Sequence, residues 1–366
     1  MGSTRCIDIE SLVAPVSESS PAGSNLREDS SPASVYLRLK DARSAARLAE
    51  KRADQEGENL GVTSDWRTIL EIAPKALKEQ SKDLEVSAWL IEALVRSQGF
   101  AGLRDGFCLA RRLVEQYWDT LFSLEDEEGV ATKVAPLTVL NGIDGAGTLL
   151  QPIRKIALTR AVGEGPFLVY QYEQAVKLAE SHKEGNGAVK LETFMAAANA
   201  SGGPFYVAMV EDIQESIAEL ENLSSALDER AGRDAPPTSA IRGVLASTLE
   251  MVQSFARDLI ARATQIATRD TTEVVAAGNG GDVHSGTGAV RLNGGVHNRE
   301  EALRVLLQIA EYFRQNEPQS PVGTTLEELV RRARMPFSDL LLELLADKSA
   351  WRSALTSAGI KPPPEE

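Results

Sequence analysis

Cysteine is nearly absent from this chain of 366 residues, which holds only Cys6 and Cys108. They lie far apart without CxxC spacing, so no disulfide framework or thiolate metal site is built, and both read as free thiols in a reducing cytoplasm. Histidine is equally scarce: His182, His284 and His297 are scattered, and none forms an H-E-x-x-H pair. No metal centre follows from them. Basic residues are in deficit, 39 against 53 acidic, and the formal net charge of -14 argues against a partner held through its phosphate backbone. Nucleic acid is excluded as a partner on that ground. No apolar run reaches the roughly 18 residues that span a bilayer, and no basic-then-apolar signal segment opens the chain, so direct membrane insertion is not expected.

Catalytic signatures are missing too. There is no G-x-S-x-G elbow and no recognisable cysteine nucleophile, so the chain reads as a non-enzyme with no catalytic residue to assign. The rival readings are a helical adaptor that takes peptide motifs in a groove and, behind it, a hydrolase with convergent residues. Asp126, Glu127 and Glu128 lack calcium-loop spacing and read as a solvated acidic turn. Aromatics make up 5% of the residues, and valine and isoleucine rarely alternate with polar neighbours, so strand periodicity is weak.

What is present is helical periodicity, in a chain that is 43% apolar. The fold class is mostly α. Residues 1–30, rich in Ser, Pro and Gly, read as an extended, partly ordered arm. A helical N-terminal domain spans 31–143, with helices predicted from Val35 to Ala53, Trp66 to Lys78 and Lys82 to Ser97. Ser81 is the expected N-cap of the third, whose apolar residues face almost every direction, which predicts a central helix. A second helical domain spans 148–268; in it "PFLVYQY" (166–172) could be a short strand, and two long helices run from Phe205 to Arg230 and from Thr238 to Ala267. Residues 269–297 are a flexible linker by composition, and 298–366 form a small helical domain that opens with an Asn298–Glu301 capping box. Thr324 with Glu327, or Ser320 with Pro321, can cap its second helix, and Asp347 a short last one. A unit that small is marginal on its own core, so self-association would help it.

Gly99, Gly102 and Gly106 lie in "SQGFAGLRDGF", and G-x-x-G-x-x-x-G after a helix fits neither a dinucleotide fingerprint nor a P-loop. No cofactor is expected. Gly99 is placed to stop one helix, and Gly102 and Gly106 to let the next pack closely against it as an αα-hairpin.

Several spaced elements together resemble the ImpA/TssA family of type VI secretion proteins. They are Ser81, Lys82, Asp83 and Leu84; Trp89 before "LIEAL"; Gly99, Phe100, Gly102 and Leu103 in "GFAGL"; and Tyr117, Trp118 and Asp119. "PAGSNLRED" (21–29) is similar to that family's "PAG-x-x-LR" motif. In the tail, Glu317, Pro318, Gln319, Ser320 and Pro321, then Met335, Pro336 and Phe337, resemble the C-terminal end of short-form members. Gln319 stands where that family usually has His, so no role tied to an imidazole is carried over. The resemblance implies a cytoplasmic, non-enzymatic part of the type VI secretion machine of a Gram-negative bacterium. It further implies a homo-oligomeric ring formed by the C-terminal domain, partners among baseplate, sheath and tube proteins, and a role in initiating or coordinating tail assembly.

Overall fold

The computed structural model describes residues 2–57, 60–124, 129–143, 147–181, 188–265, 299–316, 319, 321–335, 340 and 343. The chain divides into two compact units, Met1–Gly278 and Asn279–Glu366. The first contains α1 (Ile9–Val13), α2 (Val35–Glu56), α3 (Ser64–Glu79), α4 (Leu84–Tyr117), α5 (Val130–Asn141), α6 (Leu150–Arg154), α7 (Val169–Ser181), α8 (Leu191–Ser201), α9 (Gly203–Ala231) and α10 (Ser239–Phe255). The second contains α11 (Arg299–Asn316) and α12 (Val322–Arg334). Among the described residues there is no β-sheet, only isolated bridges, so the fold is mostly α.

The first unit is organised around α4. Its sequence is apolar on nearly every side, and it is buried on nearly every side, including Leu84, Leu90, Ile91, Leu94, Leu103, Phe107 and Leu113. Gly99 leaves the helical region at φ 58°, ψ -131°. A Cβ on Gly102 would stand 2.3 Å from the carbonyl oxygen of Leu94, and one on Gly106 would stand 2.8 Å from Cγ1 of Ile91. Residues eight apart in a straight helix are about 12 Å apart along its axis, so limbs 84–98 and 100–117 must fold back against one another. The glycines remove the side chains that would hold the two backbones apart.

Around this hairpin the other helices form one continuous core, from Leu39 and Trp66 through Phe194 and Tyr206 to Val252. The stretches 31–143 and 148–268, read separately from the sequence, both contribute to it: Ser216 of α9 donates to the carbonyl of Phe100 at 2.8 Å, and Arg111 pairs with Glu219 at 2.9 Å. Tyr172, Phe194, Tyr206 and Phe255 cluster with centroid separations of 4.6 to 5.5 Å, which ties α7 to α10 together.

Several local expectations are corrected. Asp83, not Ser81, caps α4: its carboxylate accepts from the backbone N–H groups of Glu85 and Val86 at 2.9 and 3.0 Å. No strand forms over 166–172; Leu168 makes one isolated bridge to Ala157, and α7 begins at Val169. The helix expected from Thr238 to Ala267 is interrupted at Ala256, with helical backbone resuming at 257. The N-terminal arm is no loose extension, since Ile9, Leu12, Val13, Ala22 and Leu26 are buried. A five-residue helix is too short for periodicity to reveal it.

In the second unit Leu303, Ala310 and Val330 are buried, and a Cβ on Gly323 would lie 2.9 Å from the carbonyl oxygen of Ala310, so α11 and α12 approach closely. Pro321 stands at the N-cap of α12 without a side-chain hydrogen bond, one turn before the Thr324–Glu327 box would act. Asn298, Asp347, the linker 269–297 and Asp126 to Glu128 lie outside the described residues.

Candidate functional site

Three sequence elements far apart in the chain meet at the start of α4. Gly23 of "PAGSNLRED" sits at φ +81° against Gln80, where a Cβ would fall 2.0 Å from its carbonyl oxygen. Backbone hydrogen bonds run from Ser24 to Gln80 (2.9 Å) and from Lys82 to Ala22 (2.7 Å), so this motif lies along "SKDL". Downstream of Tyr117, Trp118 and Asp119, Phe122 donates to the Lys82 carbonyl at 2.9 Å and receives from Leu84 at 2.8 Å. Tyr117 Oη donates to Val13 at 2.8 Å, fastening the arm from the far end of the hairpin.

Charged side chains fill this junction. Arg27 Nη1 lies 2.6 Å from Asp83 and its Nη2 lies 2.6 Å from Glu85, while Tyr36 Oη donates to Glu85 at 3.0 Å. Lys82 is fully buried and its Nζ donates to the carbonyls of Leu12 and Leu77, each at 2.7 Å. Two neutral acceptors compensate an ammonium only in part, and burial pushes the Lys82 pKa down to about 8.

That shift has a sign in stability. An unfolded lysine keeps its proton to about pH 10.4, so between about 8 and 10 the unfolded chain binds more protons at this site, and the Lys82 contribution to stability rises with pH. Below the folded value the cost of the buried charge is fully present. Tyr36 and Tyr206, raised to about 12 chiefly by burial, reverse the trend above the ordinary tyrosine value of about 10. The Cys6 and Cys108 thiols, both raised above their ordinary value near 9 by burial, already oppose the lysine from about pH 9 upward. The urea midpoint is therefore expected to climb from about pH 8 toward 9 and then to level and fall, with the climb lost in Lys82→Met. An equal climb in that variant would reject Lys82 as its source.

A second polar cluster surrounds Arg104, which is 3% exposed. Its Nε lies 2.8 Å from Asp105, and its Nη1 lies 3.0 Å from Asp212 of α9 and 3.1 Å from Glu215. The same guanidinium donates to the carbonyls of Ser3 and Thr4 at 2.9 and 3.2 Å. Ser3 in turn donates to Asp212, through N at 2.9 Å and Oγ at 2.6 Å, and the Cys6 amide donates to Asp105 at 2.5 Å. Burial and the neighbouring Asp105 carboxylate raise the Cys6 thiol to about 11. It is held in its unreactive neutral form.

The residues singled out in the sequence fall into two sets. Ser81, Lys82, Asp83, Leu84, Trp89, Phe100, Gly102, Leu103 and Tyr117 are buried, Trp89 with its ring 5.5 Å from that of Tyr36. Trp118 is half-buried beneath the Lys133 ammonium, 5.1 Å from its ring centre, and Asp119 is exposed. In the second unit Gln319 and Pro321 are exposed and Met335 is half-buried. Glu317, Pro318, Ser320, Pro336 and Phe337 lie outside the described residues, as do His182, His284 and His297. Sequence reading missed Arg27, Arg104, Asp105 and Asp212. The available signal was charge within a helix otherwise apolar all round, where Glu92, Arg104 and Asp105 demand buried partners.

The arrangement is a structural junction built from a hairpin, a strapped N-terminal segment and paired charges. No three His, Cys, Asp or Glu side chains among the described residues come together as a metal site, and no helix among them is long and apolar enough to cross a membrane. Residues 13–142 match the family described as ImpA, N-terminal, type VI secretion system. The chain is 25% identical over 350 residues to the type VI secretion system component TssA1 of Pseudomonas aeruginosa, an alignment covering 93% of this chain and 96% of that protein. Its fold is shared with the N-terminal domain, including the conserved ImpA_N region, of the TssA component of the type VI secretion system from Burkholderia cenocepacia. The TM-score is 0.58 at 24% identity, over 70% of this chain and 97% of that one. The class is thus a helical type VI secretion system component. Residues 13–142 carry the ImpA N-terminal domain, and the chain as a whole is similar to TssA proteins.

Proposed function

We propose that this chain is a non-enzymatic assembly scaffold of the type VI secretion machine, acting in the cytoplasm of a Gram-negative bacterium. In this reading the C-terminal region, 298–366, joins copies into a ring. Glu317, Pro318, Gln319, Ser320, Pro321, Met335, Pro336 and Phe337 mark the region where copies or tail components meet. The observation that carries the reading is the alignment to TssA1, which runs through both units over nearly the full length of each protein. The exposed Val322 and Leu329 of α12 add apolar surface that a second copy would cover. A ring would present many first units at once, raising their effective concentration at symmetric sites on baseplate, sheath or tube, so weak single contacts would suffice to initiate or coordinate tail assembly. Light scattering is expected to give a closed high-mass assembly for the full chain and a monomer or small oligomer after removal of 298–366. A truncated protein that keeps the full mass would reject the ring.

A further inference from the structure

The elbow at Gly99 opens onto a cleft of about 830 Å³, walled by the N-terminal strap, the end of α2, α6 and the start of α9. Its volume lies within the roughly 300–1,000 Å³ common to sites for small ligands and short peptides. Its apolar surface comes from three separate parts of the chain: Val95 and Phe100 flank the elbow, Ile156 follows α6, and Phe205 and Met209 stand on α9. Gly99 belongs to this surface because a Cβ there would lie 3.1 Å from Ile156. The leaving and entering limbs of α4 thus make a concave face rather than a filled one.

Charge on the rim is asymmetric in its partners. Arg96 is paired with Glu50 at 2.6 Å, Lys155 with Asp54, and Arg5 with Asp105 at 3.1 Å. Arg160 differs: it is exposed, its guanidinium stands 5.3 Å over the Phe205 ring, and no carboxylate among the described residues pairs with it. A cation stacked on an aromatic wall beside an apolar floor suits an apolar side chain followed closely by a carboxylate. In the chain's own stretch 269–297 the one large apolar side chain is Leu292, and no Asp or Glu follows it within the stretch.

We propose that the Gly99 cleft binds a short peptide segment of a partner protein, with a large apolar side chain on the Phe100–Ile156–Phe205 surface and a carboxylate on Arg160. This goes beyond the assembly reading and does not depend on ring formation. The test pans a phage-displayed random heptapeptide library on the full-length protein, then measures the enriched peptides by fluorescence anisotropy. The expected result is enrichment of an apolar residue next to Asp or Glu, with affinity lowered about tenfold or more by Arg160→Glu, as for loss of a charged hydrogen bond. Ala208→Trp, which fills the cleft from α9, should abolish binding while circular dichroism and melting stay near those of the unaltered protein. No enrichment would overturn the proposal, as would binding indifferent to both substitutions. Displacement by a synthetic 269–297 peptide would overturn the partner assignment by making the occupant this chain itself.

Discussion

Replacing Arg104 with methionine is expected to destabilise the first unit by about 3 kcal/mol, the low end of what breaking a buried ion pair costs. The estimate sits low because neither carboxylate is left bare. Asp105 keeps Arg5 and the Cys6 amide, and Asp212 keeps the amide and hydroxyl of Ser3. What disappears is the one cation that touches both carboxylates and the carbonyls of Ser3 and Thr4, so the strap should loosen first. Urea titration measures the total, and limited proteolysis near the N-terminus measures the strap. Adding Asp105→Asn and Asp212→Asn to the methionine variant should recover part of the loss, because two buried charges that have lost their shared cation are then removed. A loss below about 1 kcal/mol, the scale of a surface pair, would show that the cluster is solvated in practice.

Gly102→Ala is expected to cost about 3 kcal/mol, at the upper end of typical overpacking, although alanine is the better helix former by about 1 kcal/mol. The obstruction is backbone: the new methyl would meet the Leu94 carbonyl oxygen at 2.3 Å and its carbon at 2.7 Å. No rotamer relieves that contact, so limbs 84–98 and 100–117 must separate within the core. Gly243 of α10 is the matched control. It is helical and exposed, nothing lies within 4 Å of its added Cβ, and alanine there should stabilise by roughly 0.5–1 kcal/mol. If both substitutions moved the melting temperature in the same direction, close approach at Gly102 would not be what holds the hairpin.

The helical class, the central position of the helix predicted over 82–97 and the break at Gly99 were legible because they rest on local patterns: all-round apolarity, a missing Cβ and spacing over a few turns. The α11 and α12 boundaries were legible for the same reason, with Pro321 placed at the edge of α12. Less legible were the cap at Asp83 and the end of the would-be strand at Val169. In each, a neighbouring element chose between local alternatives. Arg27, brought in by the N-terminal arm, pairs with Asp83 at 2.6 Å, and one isolated bridge at Leu168 has no sheet to extend.

By itself the sequence determined that the chain is helical, that glycine bends its middle, and that several short motifs mark one family. Only the tertiary structure decided that these motifs touch: Gly23 lies on Gln80, Lys82 holds Leu12, and Phe122 closes on Lys82 and Leu84. It also decided that 31–143 and 148–268 share a core and that a cleft remains at the elbow. The physical reason is range. Helical periodicity and glycine's backbone freedom act over a few residues, whereas the partner of a buried charge such as Arg104 lies 108 positions away at Asp212. Nothing in the intervening sequence specifies that meeting until the chain has packed.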